Sequence, residues 1–243
     1  MATLYVGLPV LQGDIKKYKE RLDLVEIHPV DTSLPKTATL RAWRKAVPPG
    51  FVFSVVLPRV LGELGASKDA DDALARSLEV AATLEARCIV LATSTEVRPT
   101  AANRKKVAAL FAKIPPEGTV RCWEPRGMWE REDVIETARG AGVLPVLDAA
   151  REELPRGPLV YTRLRSLGAA SGPSAAAVDR VAGGLRGRRE AFVVVEGTRG
   201  AAVRVKEGLV AALARQKELP ETGALIRPAM PVMRPLVAED EEQ

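Results

Sequence analysis

Eight short apolar runs, separated by segments with helical patterning, most restrict what this chain can fold into. They occupy residues 4–8, 24–28, 51–57, 88–92, 120–124, 144–148, 159–163 and 191–196. Most are nearly continuous in Val, Ile and Leu, as strands covered on both faces are. Helical patterns lie between them at residues 39–47, 70–84, 100–113, 132–139, 174–185 and 201–219. Pro48-Pro49-Gly50 stops the first of these helices, and Pro115-Pro116 stops the third. The first crossover, residues 14–20, is short, and the sixth, residues 149–157, contains Pro155 and Gly157 and reads as non-helical. Such alternation in 243 residues predicts an α/β protein, a parallel TIM-type (β/α)8 barrel with an irregular connection after strand six. A doubly wound open sheet is the alternative. A dinucleotide fold would need a glycine fingerprint after strand one, where Pro9-Val10-Leu11-Gln12-Gly13 stands instead. No Walker-A loop occurs.

The barrel is expected to span residues 1–219. Residues 220–243 carry Pro220, Pro228, Pro231 and Pro235 and end in Glu239-Asp240-Glu241-Glu242, which reads as a tail without a core of its own. Ile226, Met230 and Met233 are its candidates for docking on the barrel.

Two cysteines, Cys88 and Cys122, make no disulfide framework, and a single histidine excludes any site built on several. No apolar run is long enough for a membrane span, no secretory signal is read at the start, and a reducing cytoplasm is the expected location. The net charge of +5 is mild, but residues 156–206 hold ten basic side chains against three acidic ones. Compositional bias explains that excess as simply as an anionic partner does. Nucleic acid is disfavoured, because Trp43, Trp123 and Trp129 are scattered and form no stacking stripe. Oligomeric state is not readable.

In a barrel, active groups collect at the C-terminal ends of the strands. The two-residue period puts Glu26 and His28 on one face, Cys122 and Glu124 on another, Asp148 beside Val146, and Tyr161, Arg163 and Arg165 together. Carboxylates on a buried face are costly unless paired, so each is either half of a salt bridge or a general acid or base. Glu26, His28, Glu124 and Asp148 are the candidate catalytic residues. Arg126, Arg163, Arg165, Thr198 and Arg199 are the candidate substrate-binding residues. The loops after strands seven and eight, residues 167–174 and 197–201, are glycine-bearing and open helices, which suits either anion binding or plain capping. No cofactor is called for. A divalent ion on Glu26, Glu124 and Asp148 is a further option.

At these residues the chain resembles the YecE-like family, also called domain of unknown function 72, over roughly residues 4–212. Leu24-Val25-Glu26-Ile27, then Thr39-Leu40-Arg41-Ala42-Trp43, then Pro49-Gly50-Phe51-Val52-Phe53-Ser54 follow its V-E-I-N, T…W and P-G-F-F-S signature. Glu124-Pro125-Arg126-Gly127-Met128-Trp129, Tyr161-Thr162-Arg163-Leu164-Arg165 and Glu196-Gly197-Thr198-Arg199-Gly200 are weaker echoes. The resemblance implies a TIM-type barrel and supplies no reaction. Glu26, Glu124, Arg126, Asp148, Arg163 and Thr198 match the family pattern. The family asparagine is His28 here, a lysine is Val56, and histidines fall at Gly127 and Arg165 and near Gly62.

Two functions compete. One is acid/base catalysis, by a hydrolase or isomerase, on an anionic small molecule. The other is a catalytically degenerate barrel that binds an anionic ligand or a protein.

Overall fold

The computed structural model describes residues 2–29, 35–165 and 174–218. Eight parallel strands close into a barrel in sequence order: β1 (Thr3–Leu8), β2 (Leu24–Ile27), β3 (Val52–Val56), β4 (Cys88–Ala92), β5 (Val120–Glu124), β6 (Leu144–Leu147), β7 (Leu159–Leu164) and β8 (Glu190–Val195). Closure is made by β1 on β8, in register from Thr3↔Glu190 to Gly7↔Val194. The helices are α1 (Ile15–Tyr18), α2 (Thr37–Ala46), α3 (Arg59–Gly62), α4 (Lys68–Leu84), α5 (Ala101–Ala112), α6 (Arg131–Ala141), α7 (Ala175–Leu185) and α8 (Arg199–Glu218). No helix follows β6, in agreement with the sequence reading, and α1 is a single turn.

Differences from the expected elements have local causes. α4 begins at Lys68, because Ser67 accepts from the Ala70 N–H and caps the first turn. α6 runs to Ala141 and stops where Gly142 turns left-handed at φ 64°. The one-turn α3 has no amphipathic stretch to announce it. β8 ends at Val195, so Glu196 stands just beyond the strand, as His28 does for β2 and Asp148 for β6.

Two apolar layers build the core. One fills the barrel with Leu24, Val56, Cys88, Val90, Cys122, Val146 and Val194, above Tyr5 stacked on Phe192 at 5.3 Å. The other lies between strands and helices, with Trp123, Phe53, Phe111 and Tyr18 wholly buried. At the β1–β2 seam the two backbones approach closely beside Gly7. A Cβ at Gly7 would stand 1.7 Å from the Leu24 carbonyl oxygen, so only glycine fits. The buried Tyr18 hydroxyl staples that seam, accepting from Leu8 N–H at 2.9 Å and donating to the Leu24 carbonyl at 2.8 Å. Among the described residues no helix is long and apolar enough to cross a membrane.

Candidate functional site

The inward alternation carries polar residues to the C-terminal mouth of the barrel. Glu26 of β2 and Glu124 of β5 are each 1% exposed, and Arg163 of β7 is 4% exposed. Barrel closure sets the arginine between the glutamates. Its Nη2 donates to Glu26 Oε1 at 2.7 Å, its Nε lies 3.2 Å from Glu124 Oε2, and its Nη1 lies 3.7 Å from Glu196 Oε1. Arg165 Nη2 donates to Glu124 Oε1 at 2.5 Å. Arg126 Nε stands 3.9 Å from that same oxygen, with its side chain half exposed.

Beneath the pair, Ser54 and Tyr161 extend the network. The Tyr161 hydroxyl donates to Glu26 Oε1 at 2.6 Å and lies 3.0 Å from Ser54 Oγ. Full burial pushes the Glu26 carboxyl up, but Arg163, His28 and Tyr161 together pull it below its ordinary value. Burial and the Glu26 charge hold the Tyr161 phenol well above its usual range, so it stays a donor. Burial alone would lower Arg163, but Glu26 and Glu124 outweigh it and raise it. Glu26 is therefore an ionised carboxylate at neutral pH.

Two carboxylate oxygens of this frame, Glu26 Oε2 and Glu124 Oε2, are buried without an aligned hydrogen bond. His28 faces the first: its Nε2 is 3.6 Å from Glu26 Oε2, and its side chain is 46% exposed. Glu26, His28, Glu124, Arg163, Arg165 and Arg126 thus come together at one place. Among the described residues no group of three or more His, Cys, Asp or Glu side chains is arranged to hold a metal ion. The space between Glu26 and Glu124 is taken by a guanidinium.

The remaining candidates are bonded to their own surroundings. Asp148 is buried, but its Oδ1 accepts from Ala150 N–H at 3.0 Å and its Oδ2 from Arg165 N–H at 3.3 Å. It shapes the turn after β6 and ties it to β7. Thr198 caps α8, accepting from Ala201 N–H at 3.2 Å. The Arg199 guanidinium donates to the Lys17 carbonyl and lies over the Tyr18 ring, against α1, and forms no ion pair with the mouth carboxylates among the described residues. The anion site expected at the start of α8 is largely filled from within. Gln12 Oε1 accepts from Arg199 N–H at 3.1 Å, and Gln12 Nε2 donates to the Gly197 carbonyl at 3.2 Å. Gln12 was not a candidate, since a loop glutamine carries no sequence signal for a partner so far along the chain. Residues 167–173, the other expected anion loop, lie outside the described residues.

The departures from the family pattern acquire structural reasons. Gly127, where the resemblance implies a histidine, sits at φ +87°, and a Cβ there would be 2.5 Å from the Thr95 carbonyl oxygen. The loop is closed to any side chain at that position. Val56, at the family's lysine, is buried in the apolar filling of the barrel. Arg165, at another histidine, is bonded to Glu124.

A closed parallel barrel with its polar residues gathered at the strand ends defines a TIM-barrel protein. Within that class the chain belongs to the family described as "Protein of unknown function DUF72", which it matches over residues 6–227. A DUF72 family protein from Enterococcus faecalis V583 shares the fold at 16% identity and a TM-score of 0.66, over 90% of this chain and 99% of that one. A DUF72 family protein from Thermotoga maritima MSB8 does so at 16% identity and a TM-score of 0.58, over 89% and 100%. An L-ribulose 3-epimerase is similar at 14% identity and a TM-score of 0.58, over 92% and 99%. Identity this low carries the fold and nothing further. No curated protein matches the chain.

Proposed function

We propose that the barrel mouth is an acid/base site that hydrolyses or isomerises a small anionic molecule, in a protein of the cytoplasm. One observation carries the reading. The half-exposed His28 imidazole stands 3.6 Å from a carboxylate oxygen of Glu26 that is fully buried and has no hydrogen-bond partner. Imidazole is a proton-transfer group suited to neutral pH, and a buried carboxylate behind it fixes its orientation. Catalytic hydrogen bonds are commonly long before substrate binds, so the separation suits a pair that tightens on loading. In this reading His28 moves the proton, Glu26 orients it, and Arg163 and Tyr161 keep Glu26 ionised. Arg126 and Arg165, both open to solvent, receive a carboxylate or phosphate of the substrate. Likeness to an L-ribulose 3-epimerase agrees with an isomerase but rests on fold alone.

The degenerate-barrel reading has its own support. Arg163 is already neutralised by the protein's own carboxylates, and Arg165 largely so. His28→Gln separates the two. A catalytic His28 predicts a fall in turnover of about a hundredfold or more with ligand binding retained. Unchanged turnover in that variant contradicts the assignment.

A further inference from the structure

The missing helix after β6 leaves the outer wall of the barrel open between α6 and α7. Two adjoining cavities mark the opening, and Arg156 lines both. The first, about 300 Å³, is walled by Ile135, Val143, Pro145, Pro155 and Leu159. The second, about 480 Å³, is lined by Arg151, Arg156, Arg180, Arg186 and Arg188, with Glu152 and Glu153 as its only acidic side chains among the described residues. Both acids have partners close by: Glu152 accepts from Asp148 N–H, and Glu153 lies 4.0 Å from Arg131. Arg188 is held by the Gly157 and Gly184 carbonyls. Arg156, Arg180 and Arg186 are exposed and have no side-chain hydrogen bond or ion pair among the described residues. An apolar trough thus runs into a cationic one.

One segment of this chain has the same two-part character. Residues 225–237 carry Leu225, Ile226, Met230, Val232, Met233, Leu236 and Val237 with two basic side chains, Arg227 and Arg234, among them, and residues 239–242 are Glu-Asp-Glu-Glu. We propose that residues 219–243 of this chain dock in the opening between α6 and α7. Their apolar side chains would cover the trough, and their acidic run would lie on Arg156, Arg180 and Arg186.

Position and length allow it. Barrel helices run antiparallel to the strands, so α7 and α8 end at the same rim. α8 packs beside α7 and ends at Glu218, and the cationic cavity lies at the C-terminal end of α7. Passing α7 means crossing one helix, on the order of 10 Å wide. From residue 219 to residue 239 an extended chain spans up to about 65 Å. Prolines at 220, 228, 231 and 235 have restricted φ, which lowers the entropy lost on ordering. The family match ends at residue 227, so most of this device lies beyond the shared barrel.

The test is hydrogen–deuterium exchange of the full chain at physiological ionic strength. Four chains are compared: wild type, Glu239→Lys/Asp240→Lys/Glu241→Lys/Glu242→Lys, Arg156→Glu/Arg180→Glu/Arg186→Glu, and the two sets combined. The arginines are exposed, so their reversal leaves the barrel folded. Amides of residues 225–243 and 149–157 are expected to exchange about tenfold slower in wild type than in either single set. The combined chain is expected to regain most of the protection. A wild-type tail exchanging like unstructured chain overturns the proposal, as does protection indifferent to either reversal. Protection that rises with protein concentration assigns the groove to a second copy and overturns docking within one chain. Loss of short-RNA binding in the arginine set, with a tail unprotected throughout, makes the patch a nucleic-acid face and overturns it too.

Discussion

The arginines at the barrel mouth and those beside α7 are the same side chain in opposite situations. Arg163 is almost wholly buried, with Glu26, Glu124 and Glu196 around its guanidinium. Arg156, Arg180 and Arg186 are exposed and unpaired among the described residues. A buried charge persists only when its partners are built in, so the mouth cluster is part of the fold before it is part of any chemistry. An exposed charge costs the fold little and is available to a partner. The sign of a charged patch therefore says less than its burial. The +7 of residues 156–206 mixes the two kinds, which is why composition alone left compositional bias and an anionic partner side by side.

Substitutions can break this contrast. Arg163→Met should have the largest effect. It strands the buried Glu26 carboxylate and takes one of the cationic partners from Glu124, and should cost about 3–5 kcal/mol in urea unfolding. A loss below about 1 kcal/mol would mean that the mouth is wet and the pairing dispensable.

Glu26→Gln comes next. It keeps an acceptor for Tyr161 and leaves Glu124 to neutralise Arg163, so the expected loss is about 1–3 kcal/mol at neutral pH. Its pH signature is sharper. The folded-state carboxyl of Glu26 lies below its ordinary value, so its contribution is present above the unfolded value, about 4.3, and disappears as pH falls through the folded value. Wild type should lose stability over that acid range, and the variant should lose less. Parallel pH curves would contradict the pairing.

Gly127→His, which installs the family residue, should cost about 1–3 kcal/mol, because φ +87° and the Thr95 carbonyl both oppose a side chain. A neutral effect would show that the loop after β5 rearranges freely. Arg180→Glu should be smallest, within about 0.5 kcal/mol in barrel stability.

The barrel was legible because fully buried parallel strands leave continuous apolar runs, and the missing sixth helix was legible because Pro155 and Gly157 interrupt the pattern. The convergence of Glu26, His28, Glu124, Arg163 and Arg165 was legible for a related reason. Strand periodicity says which face a residue takes, and barrel geometry turns those faces toward one mouth. Pairing was not legible. That Arg163 spans Glu26 and Glu124, or that Tyr161 supports Glu26 from below, depends on register between strands far apart in sequence. Asp148 and Thr198 were ambiguous for another reason. A polar residue at a strand end can aim inward or bond its own loop, and the backbone of that loop decides. Arg199 stood four residues past the end of β8, and its long side chain crossed to α1.

The most direct test of the central claim is an unfolding measurement against a panel of carboxylated and phosphorylated small molecules, on wild type and Arg165→Ala. An acid/base site for an anionic substrate predicts at least one compound that, at about a hundred times its Kd, adds roughly 2.7 kcal/mol to wild type and far less to the variant. No stabilisation by any compound of either class, or equal stabilisation of both proteins, would contradict the mouth as the binding site.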